Sequence, residues 1–447
     1  MDLALLVDVE GEGVTGVAQW RAGGERFWLG EEGCGMRGAP GIGHGGRGKG
    51  RGRVTVIVLV TLLTGAGCAA GSGGRADSSG KDASPKTPAG SLTWEFEHIA
   101  DFSGKFTDVA ALAEDDVWAV ATENNGESNA HLLHYDGTQW KREPLPEALG
   151  TSLYPPSLEE VGEKALWLRP RTAEDASAVN RWAQWDGTRW SPVANPPSGK
   201  AGDFEATGPD DIWTLDAAEQ TAQHWNGTRW TTTRLPYGAS DLAIVGPDDV
   251  WAVGSRSTGP GTDLGTGEGY SQPASMHWDG TSWKPVDTPQ AHFKDPVPPE
   301  PGAGLNQVFA LDSGEIRAYG INTFNHGEVD NEPADQFLRL RRDGSKWVEQ
   351  EPAPGGCALR RPVAQDDKGL FLDGNWYLTD DGTCVKIGRH RLPLSTGARK
   401  GSNQSLWLEE IHRVPGTGAW LGAGHVQVNQ SGAPFGAPVV VRLQRVG

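Results

Sequence analysis

The chain has 447 residues with 58 acidic and 40 basic side chains, so its net charge is −18 at pH 7. Residues 1–67 carry as many bases as acids, so the negative charge belongs to the remainder. Nucleic-acid phosphates and anionic lipid surfaces both attract basic protein surfaces. The charge therefore argues against a nucleic-acid partner and against electrostatic adhesion to a membrane.

The N-terminal part of the chain has the composition of an export signal. Residues 1–35 contain acids without clear periodicity, whereas Met36 opens a basic run that leads into the apolar stretch VTVIVLVTLLTGAG at 54–67. A basic region, a short apolar region and small residues are typical of a signal peptide, and this stretch is short for a membrane-spanning helix. We expect translation to begin at Met36, with residues 1–35 an upstream extension and residues 36–67 the signal peptide.

The apolar stretch ends in Gly65-Ala66-Gly67-Cys68, which resembles the lipobox of bacterial lipoproteins. The resemblance implies cleavage before Cys68, lipid attachment to this cysteine and a location on the outer face of the cell membrane. Such an anchor, with two or more acyl chains, would be the link to the membrane. The alternative is a plain secretory signal with an incidental cysteine. Residues 68–91 are rich in Gly, Ser, Ala and Pro, which predicts a disordered tether.

From residue 92 onward, a unit of roughly fifty residues recurs, as in repeat proteins. Its clearest copy, residues 240–289, reads SDLAIVGPDDVWAVGS, then a long loop, then SMHWDGTSWKPVDTP. Two apolar runs predict a hairpin, and two further strands flank an Asp-Gly turn that needs positive φ. Trp251 and Trp283 mark the second and fourth strands. A four-stranded unit that is apolar on both faces must stack on copies of itself, which predicts a β-propeller.

The copies differ in how well they keep the two marker tryptophans. The first three keep both, as Trp118 and Trp140, Trp167 and Trp190, and Trp213 and Trp230. The fifth has Arg317 and Trp347, the sixth has Phe371 and Val385, and the seventh has Trp420 but lacks a fourth strand. Residues 92–99 match the missing strand, with Trp94 in the place of Trp140. Residues 92–447 are therefore predicted to be an all-β propeller of seven four-stranded antiparallel blades closed by an N-terminal strand, with six or eight blades as alternatives.

Two resemblances accompany this repeat. The turn D-G-T-x-W resembles the Asp-box of sialidase-type propellers, in which the box is structural. The whole repeat, D-D-V-W-A-V-G followed by H-W-D-G-T-x-W, is similar to the propeller repeats of exported actinobacterial lipoproteins. This second resemblance implies a fold and a location outside the cytoplasm more than an activity.

Two cysteines lie in the predicted propeller, Cys357 and Cys384. In an oxidising, exported setting we expect them to form a disulfide. Cys384 precedes Val385, where the repeat loses a tryptophan, so the bridge would restore stability that packing lost there. Two buried free thiols are the alternative.

The repeated acids and histidines do not predict a catalytic or metal site. The pairs Asp115-Asp116, Asp210-Asp211 and Asp248-Asp249 recur at one turn of the repeat, so we expect turn residues that bond their own backbone. The residues His134, His224 and His277 occupy one strand position in three different blades, and a metal site needs convergence. We expect no catalytic residue, no metal and no cofactor.

Ligands of propellers usually bind at the loop face, which is formed by the loops between second and third strands and by the linkers between blades. The longest of these loops span residues 255–273 and 322–335, and variable loops tend to carry function. Arg317, on the strand before the second loop, either reaches the channel or packs with its head against a loop acid. The candidate ligand-binding residues are Arg317, Asn325, His326, Glu328, Asp330, Asp335, Asp263 and Tyr270.

Two functions fit these features, and a propeller fold does not decide between them. The first is a monomeric, non-catalytic binding or scaffold module that recognises a protein or a cell-wall glycan through the loop face. The second is a propeller hydrolase or lyase acting on glycans, with acids such as Asp330 and Asp335 as catalysts. The sequence contains no motif that requires catalysis, so we favour the binding module.

Overall fold

The computed structural model divides the chain into two units, residues 1–88 and residues 89–447. In the first unit it describes a three-stranded antiparallel sheet of β1 (Ala4–Asp8), β2 (Thr15–Ala22) and β3 (Glu25–Trp28). In the second unit it describes residues 91–446 except 125–127, 150–155, 163, 171–180, 198–201, 258–269 and 328–330. The predicted signal peptide and lipid site at Cys68, and the predicted tether apart from Ser91, lie outside the described residues. Within them, no helix has the length and apolarity needed to cross a bilayer.

The second unit is a seven-bladed β-propeller made of antiparallel sheets, as predicted. Blade one contains β5 (Gly104–Ala113), β6 (Asp116–Asn124), β7 (Ser128–Tyr135) and β8 (Trp140–Glu143). Blade two contains β9 (Pro156–Gly162), β10 (Ala165–Pro170), β11 (Ala183–Trp185) and β12 (Trp190–Pro192). Blade three contains β13 (Phe204–Gly208), β14 (Asp211–Asp216), β15 (Thr221–Trp225) and β16 (Trp230–Arg234).

The next three blades follow the same order. Blade four contains β17 (Gly238–Gly246), β18 (Asp249–Ser257), β19 (Ser271–Trp278) and β20 (Trp283–Val286). Blade five contains β21 (Gly302–Ala310), β22 (Ile316–Thr323), β23 (Gln336–Asp343) and β24 (Lys346–Glu349). Blade six contains β25 (Pro362–Asp366), β26 (Gly369–Leu372), β27 (Trp376–Thr379) and β28 (Cys384–Lys386). Short 3-10 helices occur at Glu147–Leu149, Gly355–Cys357 and Leu394–Thr396.

Blade seven combines strands from both ends of the propeller. Its order is β29 (Gly388–Arg389), β4 (Ser91–Ile99), β32 (Phe435–Val446), β31 (Trp420–Asn429) and β30 (Asn403–Arg413). β4 pairs antiparallel with β32, which confirms ring closure by the N-terminal strand and covers the edge of β32. β29, which the repeat did not predict, pairs parallel with β4 at Thr93 and Trp94.

The marker tryptophans join neighbouring blades. The second-strand tryptophan of one blade meets the fourth-strand tryptophan of the next nearly at right angles, an arrangement favoured by the charge distribution of aromatic rings. The ring centroids lie 5.4 Å apart for Trp118 and Trp190, 5.7 Å for Trp213 and Trp283, and 5.8 Å for Trp251 and Trp347. Trp94 is 1% exposed and lies 6.3 Å from Phe371 of blade six, so the closing strand also contributes an inter-blade ring contact.

The histidines and acids of the repeat stabilise individual blades. The His134 ring stacks on Trp118 at 4.0 Å, and its Nε2 lies 2.8 Å from the Asp116 carboxylate. Asp116 also accepts a hydrogen bond from the Trp118 indole at 3.1 Å. The same stacking and carboxylate contact recur at His224 and His277. The second acid of each pair thus bonds side chains of its own blade, where we had expected bonds to its own backbone.

The Asp-Gly turn has the predicted conformation. Gly280 has φ of +86°, and the equivalent glycines of blades one to three are also positive. Asp279 Oδ1 accepts hydrogen bonds from the backbone N–H groups of Thr281 and Ser282 at 3.0 and 2.9 Å. The hydrogen bond from Lys284, followed by that from Thr281, lowers the pKa of Asp279. The turn is therefore a structural element.

Candidate functional site

The loop of blade five holds together several of the predicted site residues. His326 Nδ1 lies 3.0 Å from Glu332 and its Nε2 lies 3.0 Å from Asp335. Burial alone would lower the pKa of His326, but the bonds to Glu332 and Asp335 outweigh it and raise this pKa. Asp335 also accepts a hydrogen bond from Thr323 at 2.7 Å. These contacts fasten the two ends of the loop, which is a structural use of His326 and Asp335.

The other predicted residues of this region are more dispersed. The backbone N–H of Asn325 donates to the Pro299 carbonyl at 3.1 Å, so Asn325 ties the loop to the linker before blade five. Tyr270 is half-buried and immediately precedes β19 in blade four. Three predicted residues, Glu328, Asp330 and Asp263, lie outside the described residues.

Arg317 does not lie beside this loop. It is the second residue of β22, and six more residues separate it from the end of that strand, about 20 Å at ~3.3 Å per residue. Its guanidinium bonds Glu315 at 2.5 Å and Asp380 of blade six at 3.2 Å. The guanidinium thus pairs with acids, as the packing alternative predicted. These acids, however, lie at the end of the blades opposite the loop.

Acids near the propeller axis bond the backbone of neighbouring blades. The first strands contact one another around the axis, and three carboxylates there accept backbone hydrogen bonds from the following blade. The N–H groups of Leu158, Leu242 and Val308 donate to Asp108, Asp203 and Asp241 at 3.1, 2.8 and 2.6 Å. In the sequence, each of these aspartates is the first residue of a similar segment, DVAAL, DFEAT or DLAIV. Our interpretation of the repeat overlooked this recurring acid.

The acids near the axis lie close together, which shifts pKa values in this region. Burial, followed by the neighbouring Asp203, raises the pKa of Asp241. His412 Nε2 lies 3.3 Å from Asp108, and burial alone would lower the pKa of this histidine. The bond to Asp108 and the charges of Asp108 and Glu160 outweigh burial and raise the pKa of His412 to about 10. Asp108 thus pairs with His412, and Asp108, Asp203 and Asp241 all bond a neighbouring blade.

A cleft of about 520 Å³ opens between blades six and seven on the loop face. It is formed by the turn between β26 and β27, by the linker after β28 and by the start of β30. Its charged and aromatic lining residues are Arg360, Trp376, Lys386, Arg389, Arg391 and Trp407. Among the described residues that line it, none is a carboxylate, a histidine or a cysteine. The cleft is therefore cationic within a strongly acidic chain.

The floor of the cleft is built around Trp376, the first residue of β27. The Arg360 guanidinium lies 5.2 Å and the Lys386 ammonium 5.4 Å from its ring, both within cation–π range. Gly356 packs against the same ring, and a Cβ there would lie 2.2 Å from it, so only glycine fits. Arg360 is also paired with Asp373 at 3.0 Å. Trp376 is thus held in place from several sides.

The rim carries cations without carboxylate partners. Arg391 donates to the Ser402 carbonyl at 2.5 Å, and Arg389 donates to the carbonyls of His390 and Gln404. Across the described parts of the chain, neither arginine pairs with an acid, and neither does Lys386. Burial, followed by the charge of Arg391, lowers the pKa of Arg389. The cleft therefore contains cationic side chains that no described carboxylate neutralises and that can pair with an anionic ligand.

Two signals in the sequence pointed to this cleft and were missed. The segment KIGRHR at 386–391 is basic in a chain of net charge −18, and Trp376 and Trp407 do not occupy marker positions of the repeat. Within the described residues, no group of three or more His, Cys, Asp or Glu side chains could hold a metal ion.

No protein-family model matches the chain, and no curated protein matches it. Solved propeller structures do resemble it. YCF48 bound to a D1 peptide is 13% identical, covering 81% of this chain and 99% of that one, with a TM-score of 0.43. A family PL25 ulvan lyase bound to its glycan is 11% identical, covering 78% and 96%, with a TM-score of 0.44. The WD40 propeller of Doa1 is 10% identical, covering 79% and 96%, at 0.43. These similarities concern the fold alone.

Proposed function

We propose that this chain is an exported β-propeller lipoprotein, held on the outer face of the cell membrane by lipid on Cys68. In this proposal it is a monomeric, non-catalytic binding or scaffold module for a protein or a cell-wall glycan. The observation that carries the binding role is the cationic and aromatic cleft between blades six and seven. Ligand sites are typically concave, with apolar or aromatic walls and a few convergent polar groups, and this cleft fits that description.

The chemistry of the lining supports binding over catalysis. Arginine keeps its proton at neutral pH, and the indole ring is not a proton donor or acceptor for catalysis, so these side chains bind and orient ligands. Three acids near the axis, Asp108, Asp203 and Asp241, bond the backbone of neighbouring blades. Of the two acids we had considered as catalysts, Asp335 is engaged with His326 and Thr323.

The anchor is tested by fractionating cells that express the full chain or its Cys68→Ala variant. Loss of the acyl chains removes the membrane link, because the acidic surface has no attraction for anionic lipid. We expect the wild type in the membrane fraction and the variant released from it. A variant that stays membrane-bound would contradict the anchor.

Binding is tested with the purified full chain in detergent, incubated with separated cell-wall glycan and envelope protein fractions. Retention and product release are both measured. We expect retention without turnover, reduced in the Arg389→Ala/Arg391→Ala double variant. The matched control is Arg229→Ala, which removes an exposed arginine from the turn of blade three. Turnover of the glycan would favour the enzyme, and retention insensitive to the double variant would place binding elsewhere.

A further inference from the structure

We infer that the cleft between blades six and seven binds an anionic glycan, a sugar polymer that carries carboxylate or phosphate groups. This inference rests on the proposed binding function and names its ligand class. It comes from three properties of the cleft, which are the unpaired cations, the fixed geometry of two guanidinium groups and the exposed indole beside them.

The first property is the local reversal of charge. Lys386, Arg389 and Arg391 lie within six residues of one another and line one cleft. Each lacks a carboxylate partner in the described part of the chain, although acids outnumber bases by 18 overall. Like charges held close together repel, and an anion bound between them removes this cost. Burial lowers the pKa of Arg389, and the charge of Arg391 lowers it further, as this repulsion requires.

The second property is the preorganisation of the guanidinium groups. Arg391 is held by the Ser402 carbonyl and hydroxyl through Nη2, at 2.5 and 3.4 Å. A guanidinium has five N–H donors, so Nε and Nη1 of Arg391 remain available to a ligand. The fork geometry of these donors matches the paired oxygens of a carboxylate or phosphate. Since the side chain is already ordered, less entropy is lost on binding.

The third property is the aromatic surface. Trp407 on β30 is 40% exposed, although a tryptophan of this size gains free energy when it is covered. The C–H groups on one face of a sugar ring form a flat apolar surface that packs against an indole, while the hydroxyls remain at the edge. Trp376 adds a second ring in the same cleft. Rings and cations together therefore favour a charged sugar over a simple anion.

The remaining polyanions fit less well. A nucleic acid carries one charge per ~1.7 Å of duplex, and its binding requires a broad basic surface, which a chain of net charge −18 lacks. An acidic peptide would satisfy the cations but makes no specific use of the exposed indole. The volume of about 520 Å³ lies within the range of small-ligand sites, so the cleft would hold a short stretch of a longer glycan.

The test measures affinity of the full-length protein in detergent for four defined polymers by calorimetric titration. These are polygalacturonate, phosphorylated dextran, neutral dextran and poly-glutamate. We expect one or both anionic glycans to bind at least about tenfold more tightly than neutral dextran and poly-glutamate, with affinity falling as salt rises. The two anionic arms distinguish a carboxylate-bearing from a phosphate-bearing source.

Variants locate the binding. Lys386→Ala and Arg391→Ala are each expected to weaken it about tenfold, and Trp407→Ala about fivefold with partial rescue in Trp407→Phe. Lys386 is the safer of the two cations to change, because its ammonium lies over the Trp376 ring and has no hydrogen bond or ion pair among the described residues. Arg229→Ala is the control and should bind like the wild type.

Four results would overturn the inference. Equal affinity for neutral dextran would exclude charge recognition, and preferential binding of poly-glutamate, unaffected by Trp407→Ala, would identify an acidic peptide as the ligand. Anionic glycan binding that all cleft variants retain would place the site elsewhere. Retention of envelope material through the cleft, without binding of either anionic glycan, would leave the binding module standing and overturn only the ligand class.

Discussion

Blades one to four and blades five to seven are joined to their neighbours by different interactions. In the first group, tryptophans from neighbouring blades pack against each other at the seam, the contact between one blade and the next. In blades one, three and four, a histidine stacks on the second-strand ring and is held by an acid. In the second group, blade five has Arg317 and blade six has Phe371 and Val385 in place of marker tryptophans, and other interactions join these blades. The regular blades build the ring, whereas the irregular ones contain the cleft, so the surface available for function lies where the repeat is lost.

The seam between blades five and six shows the replacement most clearly. Arg317 stands in the position of the second-strand tryptophan, and Val385 in that of the fourth-strand tryptophan of the next blade. Arg317 bonds Glu315 and Asp380, and a cavity of about 330 Å³ remains beside these side chains. An ion pair beside a cavity thus takes the place that two tryptophan rings occupy at the other seams. We expect this seam to be less stable than the tryptophan seams.

The largest effect should come from deleting the closing strand, residues 91–99. This removes the buried Trp94 and uncovers the edge of β32, so the ring cannot close. We expect loss of the cooperative thermal transition, measured by circular dichroism and calorimetry. Deletion of nine residues from the predicted tether, 73–81, is the length-matched control and should leave the transition unchanged. Equal melting temperatures for the two deletions would argue against closure.

A smaller effect should separate the two kinds of seam. Trp213→Ala removes a ring that is 1% exposed and contacts Trp283, so we expect a loss of about 3–5 kcal/mol in the free energy of unfolding. Arg317→Ala should cost about 1–2 kcal/mol, because Asp380 is partly exposed and can be hydrated once its partner is lost. Urea unfolding measures both. Equal losses would mean that the ion pair stabilises its seam as well as the rings do.

The disulfide tests how blade six compensates for its lost tryptophan. Cys357 and Cys384 are bonded, as predicted, and lie 27 residues apart. A cross-link closing a loop of this length contributes about 3–4 kcal/mol by constraining the unfolded chain. We expect the Cys357→Ser/Cys384→Ser variant to lose about this much in urea unfolding, while a reductant lowers the stability of the wild type alone. An unchanged urea midpoint would contradict a stabilising role.

The candidate site was predicted less well than the fold. The repeat predicted that Arg317 lies beside the loop at 322–335. Six residues of β22 follow Arg317, so it lies at the opposite end of the blade from that loop. His326 and Asp335 do lie together, where they fasten their own loop. The cleft escaped prediction because Trp376, Arg391 and Trp407 belong to separate elements, and their proximity depends on how blade six docks against blade seven.

The sequence by itself predicted the propeller with seven blades favoured over six or eight, the Asp-Gly turns, the closing strand and, with free thiols as the alternative, the disulfide. The blades and their turns follow from local hydrophobic pattern and turn chemistry that recur with the repeat, so every copy supports the others. The closing strand was found as the one strand missing from the last copy. Only the tertiary structure decided which cations remain without acids and which indole remains exposed. Such properties depend on the neighbours that each side chain acquires across a seam, and the repeat carries no information about them once its marker residues are lost.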